Sequence, residues 1–475
     1  MASPLRRLAG SPAGRPARAG VWAPERRALT VGLLLTVTLV AFESLSVATI
    51  MPLVGRELDG LALYGWVFSA FFLGDLVGIV AAGAQADRGS LARPFILGLG
   101  LFALGLVIDG LAPSMAVLVL GRSIQGFGAG AVPTVAYVAI GRRYPDAIRP
   151  VMFASLSSAW VVPGLAGPAV AGLVADHATW RYVFLGLLPL VAVAMALTTP
   201  ALRDPGPVPS ITAGTGPVEP LWRRLVPAIR VAAGAALVLG ALTARDLLSV
   251  GLGIGGVAIG LPALRRLVPA GTLSAARGLP TVILLRGVAT FGFFGAEAFL
   301  PLTLVSVRGA SATEAGLALT AATLTWTAGS WIQARLMHSW GAARLIRAGL
   351  VGVTIGVLGV ATILASAVPV EVGVAAWGLA GFGMGLAYSP ISLTVIRDAP
   401  AGQEGSATAA MQLCDVLGTA LGTGLGGAIV AAGIALAIEP HQYLAVAFAI
   451  SVAAAAFGLA LTPRMRRTAA ALPAA

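Results

Sequence analysis

Apolar runs of about 20 residues, the length a helix needs to cross roughly 30 Å of hydrocarbon, recur along the chain between short polar breaks. Six fall at about 29–51, 63–85, 94–112, 113–139, 151–174 and 180–199. A polar stretch from Arg203 to Arg230 follows, rich in Pro and Gly (Asp204-Pro205-Gly206-Pro207, Thr215-Gly216-Pro217), and reads as a linker. Six more long runs lie at about 280–305, 313–334, 343–366, 370–396, 405–433 and 441–462. Between the two sets, 230–244 and 247–263 are apolar around most of the helix and are split by Arg245-Asp246, the pattern of a buried hairpin. The predicted organisation is a tail (1–28), a six-helix bundle (29–199), a linker (200–229), an inserted hairpin (230–263), a linker (264–279), a second six-helix bundle (280–462) and a tail (463–475). Fourteen spans are predicted if the hairpin crosses the membrane and twelve if it lies in the interface.

Composition strengthens this picture. Of 475 residues, 58% are hydrophobic and 11% charged, which excludes a soluble enzyme, a disordered chain and a disulfide scaffold. Cys414 is the single cysteine, and His177, His338 and His441 are too scattered for a metal site; no cofactor is implied. All 31 basic residues are Arg, a bias that with 61 Gly points to a high-GC bacterial source. The net charge of +12 could suggest nucleic acid, but the arginines alternate with apolar runs and form no patch. With the N-terminus inside, twenty-five arginines fall in cytoplasmic segments and four outside, placing both termini in the cytoplasm of a multi-pass plasma-membrane protein. The Arg-rich first 28 residues predict a cytoplasmic tail rather than a cleaved leader.

The two sets of six echo each other. Glu43 precedes Pro52 in the first span as Glu297 precedes Pro301 in the seventh, and six-span repeats are a transporter signature with the substrate site between the halves.

In span four, Leu118, Arg122, Gln125, Gly126, Gly128 and Ala129 stand at the spacing L-x-x-x-R-x-x-Q-G-x-G-A. In span five, Pro163 and Gly164 run into Gly167, Pro168 and Gly172, similar to the antiporter pattern G-x-x-x-G-P-x-x-G-G, with departures at Pro163 and Ala171. The first cytoplasmic loop has Gly83, Asp87, Arg88 and Arg93, similar to G-x-L-A-D-R-x-G-R-R/K, but Gln85, Ser90 and Leu91 depart from it. Together these motifs resemble those of the major facilitator superfamily, over about residues 29–462. The hairpin and the stretch from Gly405-Ser406-Ala407 to Gly418 resemble its 14-span drug:proton antiporter branch.

The resemblance implies an all-α fold of two pseudo-symmetric six-helix bundles, working as a monomer that exports a small amphipathic compound in exchange for protons. Lipid or metabolite export, proton-coupled symport and a transporter-like sensor are the competing readings. A membrane-embedded enzyme lacks a nucleophile–base or metal cluster at one depth, and no P-loop supports an ATP-driven pump.

Ionisable residues inside spans are costly and mark transport chemistry. At 1.5 Å per residue, Glu43 lies about 12 Å and Arg122 about 13 Å below the outer surface. The two can form a proton-carrying carboxylate with a modulating cation, or a static pair that locks two helices. Asp75 and Asp415 lie near mid-depth on spans two and eleven, which meet in the family fold, and either share a proton or cap neighbouring groups. Glu297 is the counterpart of Glu43, and Arg286 is placed at the cytoplasmic end of its helix. Gln125, Trp160, Trp326 and Trp377 are candidate cavity residues, and Trp66 and Trp180 candidate interfacial anchors. The resemblance assigns Asp87 a docking role at the start of span eleven, while Gly126, Gly128, Gly167, Pro168 and Gly172 supply close helix packing.

Overall fold

The computed structural model describes residues 20–86, 91–145, 148–203, 220–244, 247–400 and 403–465. Among these, all regular structure is helical. The first half contains α1 (Pro24–Glu57), α2 (Tyr64–Ala86), α3 (Ala92–Gly110), α4 (Met115–Arg143), α5 (Arg149–Ser158), α6 (Val161–His177), α7 (Arg181–Leu185) and α8 (Leu188–Arg203). The hairpin is α9 (Leu221–Thr243) and α10 (Leu247–Leu267). The second half contains α11 (Leu279–Glu297), α12 (Leu300–Arg308), α13 (Ala312–Trp340), α14 (Ala342–Thr362), α15 (Val370–Asp398), α16 (Glu404–Ala435) and α17 (Pro440–Leu461).

Twelve described segments are long and apolar enough to cross a membrane, and α9 and α10 are among them. The two remaining transverse elements of the halves, α5–α6 and α13, fall outside that set: the first is broken into short pieces, and α13 carries more polar residues. The hairpin helices exceed the sequence boundaries, with α9 starting at Leu221 and α10 running to Leu267. Pro220 precedes the first turn of α9, where a proline loses no helical hydrogen bond, and α1 likewise starts on Pro24.

Span five, read from the sequence as one run, is two helices. Pro163 has no N–H to offer the Ala159 carbonyl, and that carbonyl instead accepts from Thr38 Oγ1 of α1 at 3.2 Å. Span seven breaks at Ala298–Phe299 ahead of Pro301, and the Ala298 carbonyl accepts from Tyr64 Oη of α2 at 2.8 Å. Non-helical backbone at membrane depth thus finds its partners on neighbouring helices, which hydrocarbon could not supply. By contrast, α1 runs through Pro52 without a break, so the Glu43/Glu297 echo does not extend to backbone shape.

The halves meet along two seams, α2 against α16 and α6 against α13. Backbone meets backbone at the end of the bundle away from the described termini, while nearer mid-span Gly164 of α6 packs against the Thr323 side chain of α13. A Cβ on Gly65 would lie 2.4 Å from the Gly427 Cα, so two backbones touch there. Ser69 Oγ donates to the Ala420 carbonyl at 3.0 Å, and Thr313 Oγ1 donates to Asp176 at 2.7 Å. Nearer the termini end, α6 and α13 leave an apolar recess of about 390 Å³ beside Val161, Leu165, Thr327 and Trp331.

The hairpin leans on the α2–α16 seam. Trp66 Nε1 of α2 donates to Thr243 Oγ1 of α9 at 3.3 Å, and Leu239 of α9 fills the space over Gly424 of α16.

Candidate functional site

The N-terminal half buries a polar cluster built by α1, α3 and α4. Glu43, Arg122, Gln125 and Asp109 are each at most 2% exposed. The Arg122 guanidinium donates through one terminal nitrogen to both Glu43 Oε1 and Gln125 Oε1. Its Nε donates to the Val67 carbonyl at 3.3 Å, and its carbon lies 4.2 Å from the Phe71 ring centroid. The i, i+3 spacing of Arg122 and Gln125 puts them on one face of α4, which is why a motif spacing becomes a contact. Gly126 and Gly128 flank this face: a Cβ on either would strike the Phe71 or Gly98 carbonyl, so α4 sits directly on α2 and α3.

Removing either charge of such a pair would strand the other in low dielectric, a cost of about 3–5 kcal/mol. The pair is therefore held together while both partners are charged. Asp109 is the fourth member. It was not singled out from sequence because it lies close to the end of an apolar run; the informative signal was Gly121 before Arg122, which leaves room for a carboxyl group.

The C-terminal half carries a second cluster. Arg286 of α11 is 4% exposed and meets Asp415 of α16, with Nε–Oδ1 at 3.0 Å. Arg286 also donates to the Tyr388 carbonyl at 2.9 Å and to Ser392 Oγ at 3.3 Å, and Tyr388 Oη donates to Asp415 at 3.0 Å. The guanidinium carbon stands 3.0 Å from the Tyr388 ring centroid. This corrects the placement of Arg286 at a helix end: it is an interior residue whose partners come from α15 and α16, far away in sequence. Asp415 is also the electrostatic neighbour of Asp75 on α2, across the seam.

The remaining predicted residues distribute as follows. Glu297 ends α11, half-buried and apart from both clusters. Trp326 packs edge-on to Phe293 and Tyr388, at centroid distances of 5.4 and 5.3 Å. Trp377 is fully buried, stacked on Phe293 at 4.6 Å, so it is a core residue of the second half and lines no opening; Gln125 is sealed in the same way. Trp160 precedes α6 and is 46% exposed. Pro163, Gly167, Pro168 and Gly172 are buried on α6; a Cβ on Gly172 would lie 2.6 Å from the Thr313 Cα, and Gly316 packs on the Pro168 carbonyl. Trp180 is not an interfacial anchor: it is fully buried and donates through Nε1 to Glu57 at 2.8 Å. Gly83 ends in partial burial and Arg93 is exposed, while Asp87 and Arg88 lie outside the described residues. Among the described residues no cluster could hold a metal ion.

Comparison with known proteins agrees with this architecture. The family model described as Major Facilitator Superfamily matches residues 33–423. A protein of Mycobacterium tuberculosis named a probable multidrug-efflux transporter is 25% identical over 88% of this chain and 90% of its own. The multidrug resistance protein Stp of the same organism is 28% identical over 82% of this chain and 72% of its own. Among solved structures, a bacterial homologue of the human lysosomal transporter Spinster, in an inward-facing and unoccupied conformation, superposes with a TM-score of 0.65 at 15% identity, covering 94% of this chain and 99% of that one. The D-xylose-proton symporter superposes at 0.62, with 15% identity over 91% and 97% of the two chains. Two helical bodies joined along paired seams, each with a buried arginine–carboxylate pair, and a family match over most of the length lead to one conclusion: this chain is a transporter, not an enzyme, and belongs to the major facilitator superfamily.

Proposed function

We propose that the chain exports small amphipathic compounds from a bacterial cytoplasm in exchange for protons, by alternating access, as a monomer with both termini inside. The observation that carries this reading is the sealed Glu43–Arg122–Gln125 cluster. A proton added to Glu43 removes the charge that holds Arg122, and its loss restores the pair, so helix packing in this half depends on protonation. Two mycobacterial relatives named for multidrug efflux or resistance support export of drug-like compounds. The apolar recess beside Trp331 supports an amphipathic substrate.

In this reading the halves touch at the outer end and part toward the cytoplasm, the stage at which substrate enters. Asp415 and Asp75 are electrostatic neighbours across the seam, and Arg286 and Tyr388 hold Asp415 on its own side. Gly172 against Thr313 and Gly65 against Gly427 close the outer end without side chains between the backbones.

The test is transport in proteoliposomes with an imposed pH gradient, using a panel of lipophilic cationic dyes. Wild type should accumulate at least one dye only under the gradient, and Glu43→Gln should lose that drive. Full proton-driven transport by Glu43→Gln would end the reading.

A further inference from the structure

α3 ends in a carboxylate that neither ion pair uses. Asp109 is fully buried, and neither of its carboxylate oxygens has a hydrogen-bond partner among the described residues. A bare charge at such a site would be uncompensated by any hydrogen bond.

Its position is informative. Asp109 is the penultimate residue of α3, Gly110 ends the helix, and Leu111 is 64% exposed. It therefore lies close to the end of the bundle where the halves touch, whereas Glu43 and Gln125 lie deeper. A Cβ on Gly121 would stand 2.1 Å from an Asp109 carboxylate oxygen, so the carboxyl rests on the α4 backbone one residue before Arg122. Its electrostatic neighbours are Arg122 and Glu43. The other elements packed on α3 are α7, α8 and α2. On α7, Arg181 reaches the Ala112 carbonyl at 3.4 Å but is paired with Glu57 at 2.6 Å. Arg203 closes α8 at the opposite end of the bundle, and Asp75 on α2 has Asp415 as its electrostatic neighbour. Arg122 is thus shared electrostatically by two acids, Glu43 and Asp109, and bonded to only one of them.

We propose that Asp109 is a proton-carrying station that exchanges partners with Glu43 around Arg122, so that protons reach the transport site from the outer surface through the N-terminal half itself, apart from the seams. The step balances. The O–H bond of the Asp109 acid breaks and an O–H bond forms on the Glu43 carboxylate. Arg122 moves its ion pair from Glu43 to the newly charged Asp109, and the charge of the trio is unchanged. Because the path avoids the seams, the outer end stays shut to substrate while a proton moves.

The inference rests on proton-coupled transport, and its experiment separates the two. Asp109→Asn and Asp109→Glu are compared with wild type in proteoliposomes for gradient-driven dye accumulation and for dye counterflow without a gradient. The expected result for Asp109→Asn is a loss of driven rate of about tenfold or more, with counterflow and apparent KM retained, and recovery in Asp109→Glu. Full drive in Asp109→Asn beside a driven wild type overturns the station, as does parallel loss of counterflow. A wild type without drive defeats the transport reading instead. Infrared spectroscopy reads Asp109 in either event: a carboxylic-acid carbonyl band present in wild type and missing from Asp109→Asn is expected, and identical spectra overturn the proposal.

Discussion

The Gly65–Gly427 contact allows the balance between conformations to be shifted by one methyl group. Alanine at position 65 would place its Cβ 2.4 Å from the Gly427 Cα and 2.8 Å from the Thr423 carbonyl oxygen. Carbon atoms rest at about 3.5–4.0 Å, so α2 and α16 must part by roughly 1 Å at this end. Both obstructing groups are backbone, and no side chain can turn aside. Overpacking of this kind costs about 1–3 kcal/mol. Only the conformation with these ends together bears the cost, so the population with them apart should rise roughly 5- to 150-fold. The readout is alkylation of a cysteine at Ala312, which is 8% exposed at the same end, in a Cys414→Ser background. Gly65→Ala should speed labelling severalfold. Gly100→Ala, where a Cβ meets nothing within 4 Å, should leave it unchanged. Equal labelling in Gly65→Ala and its parent, at equal thermal stability, would refute the seam as the closed gate.

Other outcomes follow from the same geometry. Asp415→Asn should lower the thermal stability of the purified protein by stranding Arg286, a penalty of about 3–5 kcal/mol, and Arg286→Met added to it should recover much of the loss; additive destabilisation in the double variant would contradict the pairing. Trp377→Ala should destabilise by about 3–5 kcal/mol while Trp160→Ala does not, as thermal melting would show; a loss of dye affinity in Trp377→Ala at unchanged stability would restore it to the cavity. Trp66→Phe should loosen the hairpin by about 0.5–1.5 kcal/mol, measured as faster hydrogen exchange in α9, and unchanged exchange would count against the Thr243 contact.

The spans and the two bundles were legible because hydrocarbon demands long apolar helices, and twelve described segments meet that demand without reference to contacts. The Glu43–Arg122 pair was legible through depth, since helix rise converts residue number into height. The helix breaks were not: Pro163 and Pro301 sit in the first turn after a break, whereas Pro52, Pro133 and Pro168 lie in helix interiors. The Ala159 and Ala298 carbonyls at the two breaks are bonded by hydroxyls of other helices, Thr38 and Tyr64, and local sequence does not name such partners. Arg286 was misplaced for the same reason, because Tyr388 and Asp415 reach it through tertiary packing alone. Trp180 and Trp377 show that an aromatic near a span end or within a span can serve the core as readily as the lipid boundary.

The hairpin has a consequence for the bilayer. α10 packs chiefly on α9, and Val250, Ile254 and Val257 are at least half exposed, which leaves an apolar face open among the described residues. α9 in turn rests Leu239 on α16 and Thr243 against Trp66 of α2, one helix from each half. A thicker or thinner membrane changes the tilt such a helix pair prefers, at fractions of a kcal/mol per ångström of mismatch. In the alternating-access reading proposed above, that torque would act on the α2–α16 seam, and lipid chain length would become an input to turnover.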